Sequence, residues 1–173
     1  WKLKTPSVLL SVTGSAQDLE LDPSLEHNLS EGLSKAVSCT NGWCITGGTD
    51  TGIMAFVGKA LGKLNFLHGD AASLVPVIGV ATLATTTHWE KLLGISGQTV
   101  TYEKTEKNTE EQACLDSDHT HFILVDTEKK GVDAWGGEIK MRAHLESKIC
   151  EEFGVSGVQI VVQGSKGTLK TVD

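Results

Sequence analysis

The chain has 173 residues, of which 39% are hydrophobic and 21% charged, and this composition fits one compact domain with its own core. The net charge of -7 argues against a nucleic-acid or anionic-membrane surface, because binding to phosphate backbones depends largely on lysine and arginine. No apolar run reaches the roughly 18 residues that cross a bilayer, and no signal peptide is visible.

Strands and helices alternate along the sequence. Short apolar runs predict the strands, and apolar residues at every fourth position predict the helices, the first of which has Asp22 as its cap and Pro23 in its first turn. In chain order, the predicted elements are a strand at 7–12, a helix from Asp22, a strand at 43–46, a helix at 52–61, strands at 75–81 and 121–125, a helix at 137–153 and a strand at 158–162. This alternation predicts an α/β fold with a mainly parallel sheet.

Residues 97–118 interrupt the alternation. The segment is polar and charged, and its centre reads YEKTEKNTEEQ, so we predict an exposed loop. The four cysteines form no CxxC pair and are widely spaced, which favours reduced thiols in an intracellular protein. Because the chain starts at Trp1 without a methionine, we expect it to be a piece of a longer protein.

Three strand ends carry short turns rich in glycine, serine and threonine: TGSA after the first strand, TGGTDTG after the second and QGSKGT after the fifth. Ligands of parallel α/β sheets bind outside the carboxyl ends of the strands. Glycine allows the backbone to approach a phosphate closely, hydroxyls add hydrogen bonds, and a helix that starts at the turn adds its positive dipole end. Three such turns on one edge predict a site for an anionic ligand.

Two familiar nucleotide signatures do not match these turns. The dinucleotide fingerprint needs G-x-G-x-x-G and an acidic residue at the end of the next strand, where this chain has Thr46. A Walker A loop needs Gly-Lys followed by Ser or Thr, whereas the order here is Lys166-Gly167-Thr168. The magnesium-phosphate chemistry of that loop is therefore not expected.

Five ordered motifs resemble the amino-terminal cytoplasmic homology region of melastatin-type transient receptor potential (TRPM) channels. They are LLSVTGSA, WCITGGTDTGIMAFVGKAL, HTHFILVD, GGEIKMRAHLE and VVQGSKGTLKTV, and the resemblance spans nearly the whole chain. It implies a SLOG domain with a Rossmann-like three-layer sandwich. It also implies a sensor on the cytoplasmic side of a calcium-transporting channel, which binds ADP-ribose or a related nucleotide, assembles with other subunits of a tetramer and needs no cofactor.

The resemblance also implies the ligand-binding residues. Trp135 stands where ADP-ribose-binding members have an aromatic residue against the nucleotide, and Arg142 stands where they have a ligand-contacting arginine. An aromatic face stacks on a base, and a guanidinium grips phosphate or ribose oxygens. The remaining implied residues lie in the three turns: Thr13, Gly14, Ser15 and Ala16, then Gly47, Gly48 and Thr49, and finally Gly164, Ser165, Gly167 and Thr168.

The chain departs from the family pattern at two turns. Ser15 and Ser165 stand where members usually have a second glycine, and each adds a side chain near the ligand. Members also continue beyond the position of Asp173 with another strand and a glycine-arginine loop that contributes to the site. We therefore expect this chain to contain only part of the site.

The implied residues also have structural interpretations. Trp135 is then a rim residue on the sheet edge, Arg142 pairs with Glu138 four residues earlier, and Lys166 is a solvated loop charge. His119 and His121, with aspartates nearby, form a His-x-His pattern, but such a pair at a strand entrance is more often structural than a metal site.

Two alternative functions remain open from the sequence. Related phosphoribohydrolases use a last loop resembling G-G-x-G-T-x-x-E, in which the glutamate takes part in catalysis; here Thr171 holds that position and is no general acid or base near neutral pH. The sequence therefore favours a binding domain over an enzyme. The other alternative is a subunit-assembly module without a ligand.

Overall fold

The computed structural model describes residues 1–17, 19–68, 74–105, 108–164 and 166–172. It contains five strands, β1 (Val8–Gly14), β2 (Trp43–Thr46), β3 (Val77–Thr82), β4 (His121–Val125) and β5 (Ser156–Val162). The helices are α1 (Pro23–Thr40), α2 (Gly52–His68), α3 (Ile139–Phe153) and α4 (Lys166–Val172). Short 3-10 turns lie at Leu83–Thr85, Trp89–Leu92 and Gly131–Ala134.

All five strands form one sheet in the order β4-β3-β2-β1-β5, and every neighbouring pair is parallel. The predicted α/β class with a parallel sheet is thus confirmed. The chain builds outward from β1 to β4 and then returns to place β5 on the other side of β1. Ligand crevices in such sheets lie outside the carboxyl ends of the strands, where the strand order reverses. Here that position is the end of β1 beside β5.

Side-chain alternation along β1 divides the core into two layers. Leu10 packs with α1 and α2 on one face of the sheet, and Leu9 packs with Ile149 of α3 on the other face. Successive residues of a strand point to opposite faces, so an unbroken apolar run can fill both layers at once. Helices therefore cover both faces of the sheet, which gives the three-layer, Rossmann-like arrangement.

Helix α1 begins where its sequence predicts. The Asp22 carboxylate accepts hydrogen bonds from the N–H groups of Ser24 and Leu25, and Pro23 occupies the first helical position. Among the apolar residues at every fourth position of α1, Leu33 and Val37 are buried but Leu25 is 51% exposed. The second half of α1 therefore anchors the helix to the core. In the part of the chain that is described, no helix combines the length and apolarity that a membrane span requires.

The segment 97–118 differs from the predicted exposed loop at its carboxyl-terminal end. Residues 113–116 are buried, and the N–H of Asp116 donates to the Gly48 carbonyl oxygen at 2.9 Å. The physical reason lies in α2, where Gly58 and Gly62 face Asp116 and Asp118 and leave room for the segment to pack closely. The polar composition of the segment did not indicate this contact.

Candidate functional site

A pocket of about 170 Å³ opens at the carboxyl edge of the sheet. Its wall combines residues at or just after the ends of β1, β2 and β3 with Met54 of α2, residues at or just before the start of α3, and residues of α4. The lining residues are Thr13, Gly14, Ala16, Gly47, Thr49, Met54, Ala81, Thr82, Thr85, Trp135, Gly136, Glu138, Ile139, Arg142, Thr168 and Thr171. Six of them are threonines.

The three predicted turns meet at this pocket. Thr13, Gly14 and Ala16 line it from the first turn, Gly47 and Thr49 from the second, Thr168 from α4, and Trp135 and Arg142 from the α3 side. Among the described residues, Ser15, Gly48 and Gly164 do not line it. Gly167 lies in α4, and Ser165 lies outside the described residues.

Some backbone N–H groups at the first two turns bond to the protein itself. The N–H of Gly48 donates to Thr46 Oγ1 at 2.9 Å, and the N–H of Ser15 donates to the Val162 carbonyl oxygen at 3.4 Å. At the start of α2, the N–H of Ile53 donates to the Ser15 carbonyl oxygen at 3.0 Å. These three donors hold the turns together and do not point at a bound anion.

Trp135 lies on the rim of the pocket. It follows the 3-10 turn Gly131–Ala134, and the residue is 41% exposed. The indole Nε1 donates to the Glu110 carbonyl oxygen at 2.9 Å, which ties the ring to the segment 97–118. The ring is therefore fixed at one edge, and part of its surface is open to solvent.

Arg142 is a buried bridge between α3 and the sheet. Its Nε donates to Glu146 Oε1 at 2.8 Å, and only 4% of the residue is exposed. Its Nη2 donates to Ser11 Oγ and to the carbonyl oxygens of Val12 and Ile45, at 2.9, 3.1 and 3.2 Å. Pairing of the Arg142 side chain with Glu138, the structural interpretation of the sequence, is therefore wrong, because the carboxylate partner is Glu146.

Glu138 is the charged residue among several lining residues that the sequence reasoning did not assign to the site. Its Oε2 accepts a hydrogen bond from Thr82 Oγ1 at 2.5 Å, which joins the start of α3 to the end of β3. Glu138 lines the pocket, three residues after Trp135 in the sequence. The signal was available in the motif GGEIKMRAHLE, where the glutamate is the first charged residue after the glycine turn.

His119 belongs to a buried chain of hydrogen bonds behind the second turn. Its Nδ1 lies 2.6 Å from Asp116 Oδ2, and its Nε2 lies 2.7 Å from Thr46 Oγ1, which accepts from the N–H of Gly48. Within the described ranges, no group of three or more histidine, cysteine or acidic side chains is arranged to hold a metal ion. The contacts of His119 thus support the turn from inside the protein.

Two residues bear on the chemistry of the site. Thr171, at the position of the hydrolase carboxylate, lines the pocket. Cys44 is fully buried in β2, and burial raises the pKa of its thiol to about 12, although the nearby Arg142 charge acts in the opposite direction. The Cys44 thiol therefore stays protonated near neutral pH and supplies no thiolate nucleophile.

Comparison with known proteins identifies relatives over the full chain. The family model described as SLOG in TRPM matches residues 1–173. The chain is 36% identical over 181 residues to the transient receptor potential cation channel subfamily M member 2 of Rattus norvegicus. It is 33% identical over 184 residues to the member-like 2 protein of Nematostella vectensis, and 30% identical over 180 residues to member 7 of Homo sapiens. Each alignment covers 99% of this chain but only 12%, 12% and 9% of the respective relative.

Proposed function

The chain belongs to the SLOG domains of TRPM channels, and from this premise we propose that it is a ligand-sensing domain. It binds ADP-ribose or a related nucleotide at the carboxyl edge of its sheet, and the bound nucleotide regulates gating of a cation channel. The observation that carries this proposal is the pocket itself, since turns that follow different strands meet there beside a partly exposed tryptophan.

The size of the pocket indicates how a nucleotide fits. Pockets that enclose whole drug-sized ligands measure roughly 300–1,000 Å³, whereas this one measures about 170 Å³. Only part of a nucleotide enters it, and the remainder lies over the rim. Trp135 on that rim offers a face on which an adenine base stacks. The proposed nucleotide therefore spans from the rim into the threonine-rich pocket.

The setting of the domain is part of the same proposal. The relatives are cation channels by name, and the chain spans about a tenth of their length. We place the domain on the cytoplasmic side of a tetrameric, calcium-transporting channel, where other subunits are its protein partners. The net charge of -7 agrees with a partner other than nucleic acid. The domain needs no cofactor in this role.

Titration calorimetry with ADP-ribose, cyclic ADP-ribose, NAD and AMP tests the proposal against its two rivals. A sensor binds at least one of these nucleotides with one-site stoichiometry and returns it unchanged. Chromatography of the same samples detects free base or ribose phosphate if the domain is a hydrolase, which matters because Glu138 places a carboxylate in the pocket. Failure to bind any nucleotide favours the assembly module.

Replacing Trp135 with alanine is expected to weaken nucleotide binding by about 1–3 kcal/mol, the range found when base-aromatic stacking is removed. Because the residue is 41% exposed, the fold should tolerate the change, and calorimetry should measure the loss directly. Trp1→Ala is the matched control, since Trp1 is exposed and lies with His121 at the opposite edge of the sheet. Equal affinities for Trp135→Ala and wild type would remove Trp135 from the site.

A further inference from the structure

The charges at the pocket do not suit a phosphate in its interior. Arg142 and Glu138 are the charged residues of its described wall, and Glu146 balances the Arg142 charge through the hydrogen bond at 2.8 Å. The Glu138 carboxylate is left without a cationic partner among the described residues. A phosphate group in the pocket would therefore be repelled by Glu138, whereas a neutral group rich in hydroxyls would be attracted.

The wall of the pocket is suited to such a group. Thr82 Oγ1 donates to Glu138 Oε2 at 2.5 Å, and Thr82 is itself buried at the end of β3, which fixes the direction of the carboxylate. Glu138 Oε1 receives no hydrogen bond from the described residues, although the residue is only partly exposed. An ionised carboxylate accepts several hydrogen bonds and binds hydroxyl donors more strongly than a neutral acceptor does.

We propose that Glu138 recognises the 2′ and 3′ hydroxyls of the ribose that carries the base. This inference rests on the proposed function and assigns the parts of the nucleotide to the site. A base stacked on Trp135 brings its own ribose next to Glu138, three residues further along the chain. The ribose enters the pocket among the threonines, and the phosphates lie away from the carboxylate.

Recognition of ribose hydroxyls by a carboxylate also occurs in other nucleotide-binding folds, where the acidic residue lies at a different position. In dinucleotide-binding folds, an acidic side chain at the end of the second strand hydrogen-bonds the ribose hydroxyl. Here Thr46 ends β2, and its hydroxyl is engaged with His119 and the N–H of Gly48. Glu138 reaches the same edge of the sheet from the start of α3, so the carboxylate arrives from another element.

Calorimetry with ADP, 2′-deoxy-ADP and 3′-deoxy-ADP tests the inference, because each probe contains a single ribose. Wild type is expected to bind ADP about 10- to 100-fold more tightly than either deoxy analogue, the factor associated with hydrogen bonds to a charged group. Glu138→Ala should abolish this preference, so that ADP and the deoxy analogues bind with about equal affinity, while binding of the deoxy analogues is retained. Glu138→Gln keeps an acceptor for Thr82 and covers the case in which the alanine variant fails to fold.

Two further variants separate recognition from general effects. Glu128→Gln, at an exposed carboxylate outside this pocket, should keep the full preference for ADP. Thr82→Val removes the donor that directs Glu138 and should reduce the preference partly. If a Glu138 variant that folds discriminates the sugars as wild type does, or loses ADP and both deoxy analogues equally, the inference is overturned.

The outcomes for wild type distinguish this inference from the proposed function. Binding of ADP without preference over the deoxy analogues overturns the role of Glu138 but does not contradict the proposed ligand-sensing function. Binding of ADP-ribose without binding of ADP also overturns it, since the ribose carrying the base is then not the recognised group. Failure to bind either ADP-ribose or ADP overturns both proposals.

Discussion

Replacing Arg142 with alanine is expected to lower the free energy of unfolding by about 3–5 kcal/mol, the range for breaking one partner of a buried ion pair. Arg142 is 4% exposed, and its guanidinium donates to Glu146, Ser11 and the carbonyl oxygens of Val12 and Ile45. Alanine leaves the half-buried Glu146 carboxylate without its cation and removes a donor from two buried carbonyl groups. Urea unfolding with linear extrapolation measures the loss.

Two further variants serve as controls for the effect of Arg142→Ala. Lys140→Ala, at an exposed position of the same helix, should change the free energy of unfolding by less than about 0.5 kcal/mol. Combining Arg142→Met with Glu146→Gln removes both charges and should recover part of the stability lost in Arg142→Ala, because no unpaired charge remains. An Arg142→Ala variant as stable as wild type would show that the bridge contributes little.

The buried bridge also changes how binding data on Arg142 are interpreted. Arg142 lines the pocket, so its role as a ligand contact stays a prediction, but its Nε and Nη2 already donate to acceptors of the protein. Loss of binding in Arg142→Ala would follow from loss of the fold as readily as from loss of a ligand contact. Trp135 and Glu138, which hold fewer internal contacts, are the better probes of the site.

The elements of the fold that the sequence predicted best depend on local patterns. Strand β2 has the predicted bounds, and α1 starts at the Asp22 cap because the cap and the proline act within one helical turn. The buried end of the segment 97–118 depends instead on Gly58 and Gly62 of α2, which precede Asp116 and Asp118 by 58 and 56 residues in the sequence. The amino-acid composition of the segment alone gives no information about its contact with α2.

The location of the candidate site was easier to predict from the sequence than the contacts and roles of its residues. Parallel strands bring their carboxyl ends to one edge, so turns after β1 and β2 meet there in any fold of this class. The contacts of Arg142 join it to Ser11, Val12 and Ile45, which lie 131, 130 and 97 residues away in the sequence. Such partners are set by the packing of α3 on the sheet, which no local motif specifies.

Gly48→Ala is expected to lower the free energy of unfolding by about 2–5 kcal/mol, although Gly48 was predicted from the family resemblance as a ligand residue. Gly48 has φ +74, a conformation that costs an L-residue roughly 1–2 kcal/mol. A Cβ at this position would lie 2.7 Å from Gly79 Cα in β3, and overpacking adds about 1–3 kcal/mol. The neighbouring atom is backbone, so a side-chain rotation cannot relieve the contact.

Gly47 supplies the matched control from the same turn. A Cβ on Gly47 would meet Met54 Cγ at 3.5 Å, an ordinary contact, and Gly47→Ala should stay within about 1 kcal/mol of wild type in the same urea titration. Gly47 lines the pocket, whereas Gly48 does not, so enlarging Gly47 to leucine should reduce ADP-ribose binding by occupying the pocket. Equal stability of Gly48→Ala and Gly47→Ala would contradict the close packing of Gly48 on Gly79. A lower stability of Gly48→Ala than of Gly47→Ala would show that these adjacent glycines have different roles. Gly48 allows the turn to pack closely against the backbone of Gly79 in β3, and Gly47 keeps the pocket open.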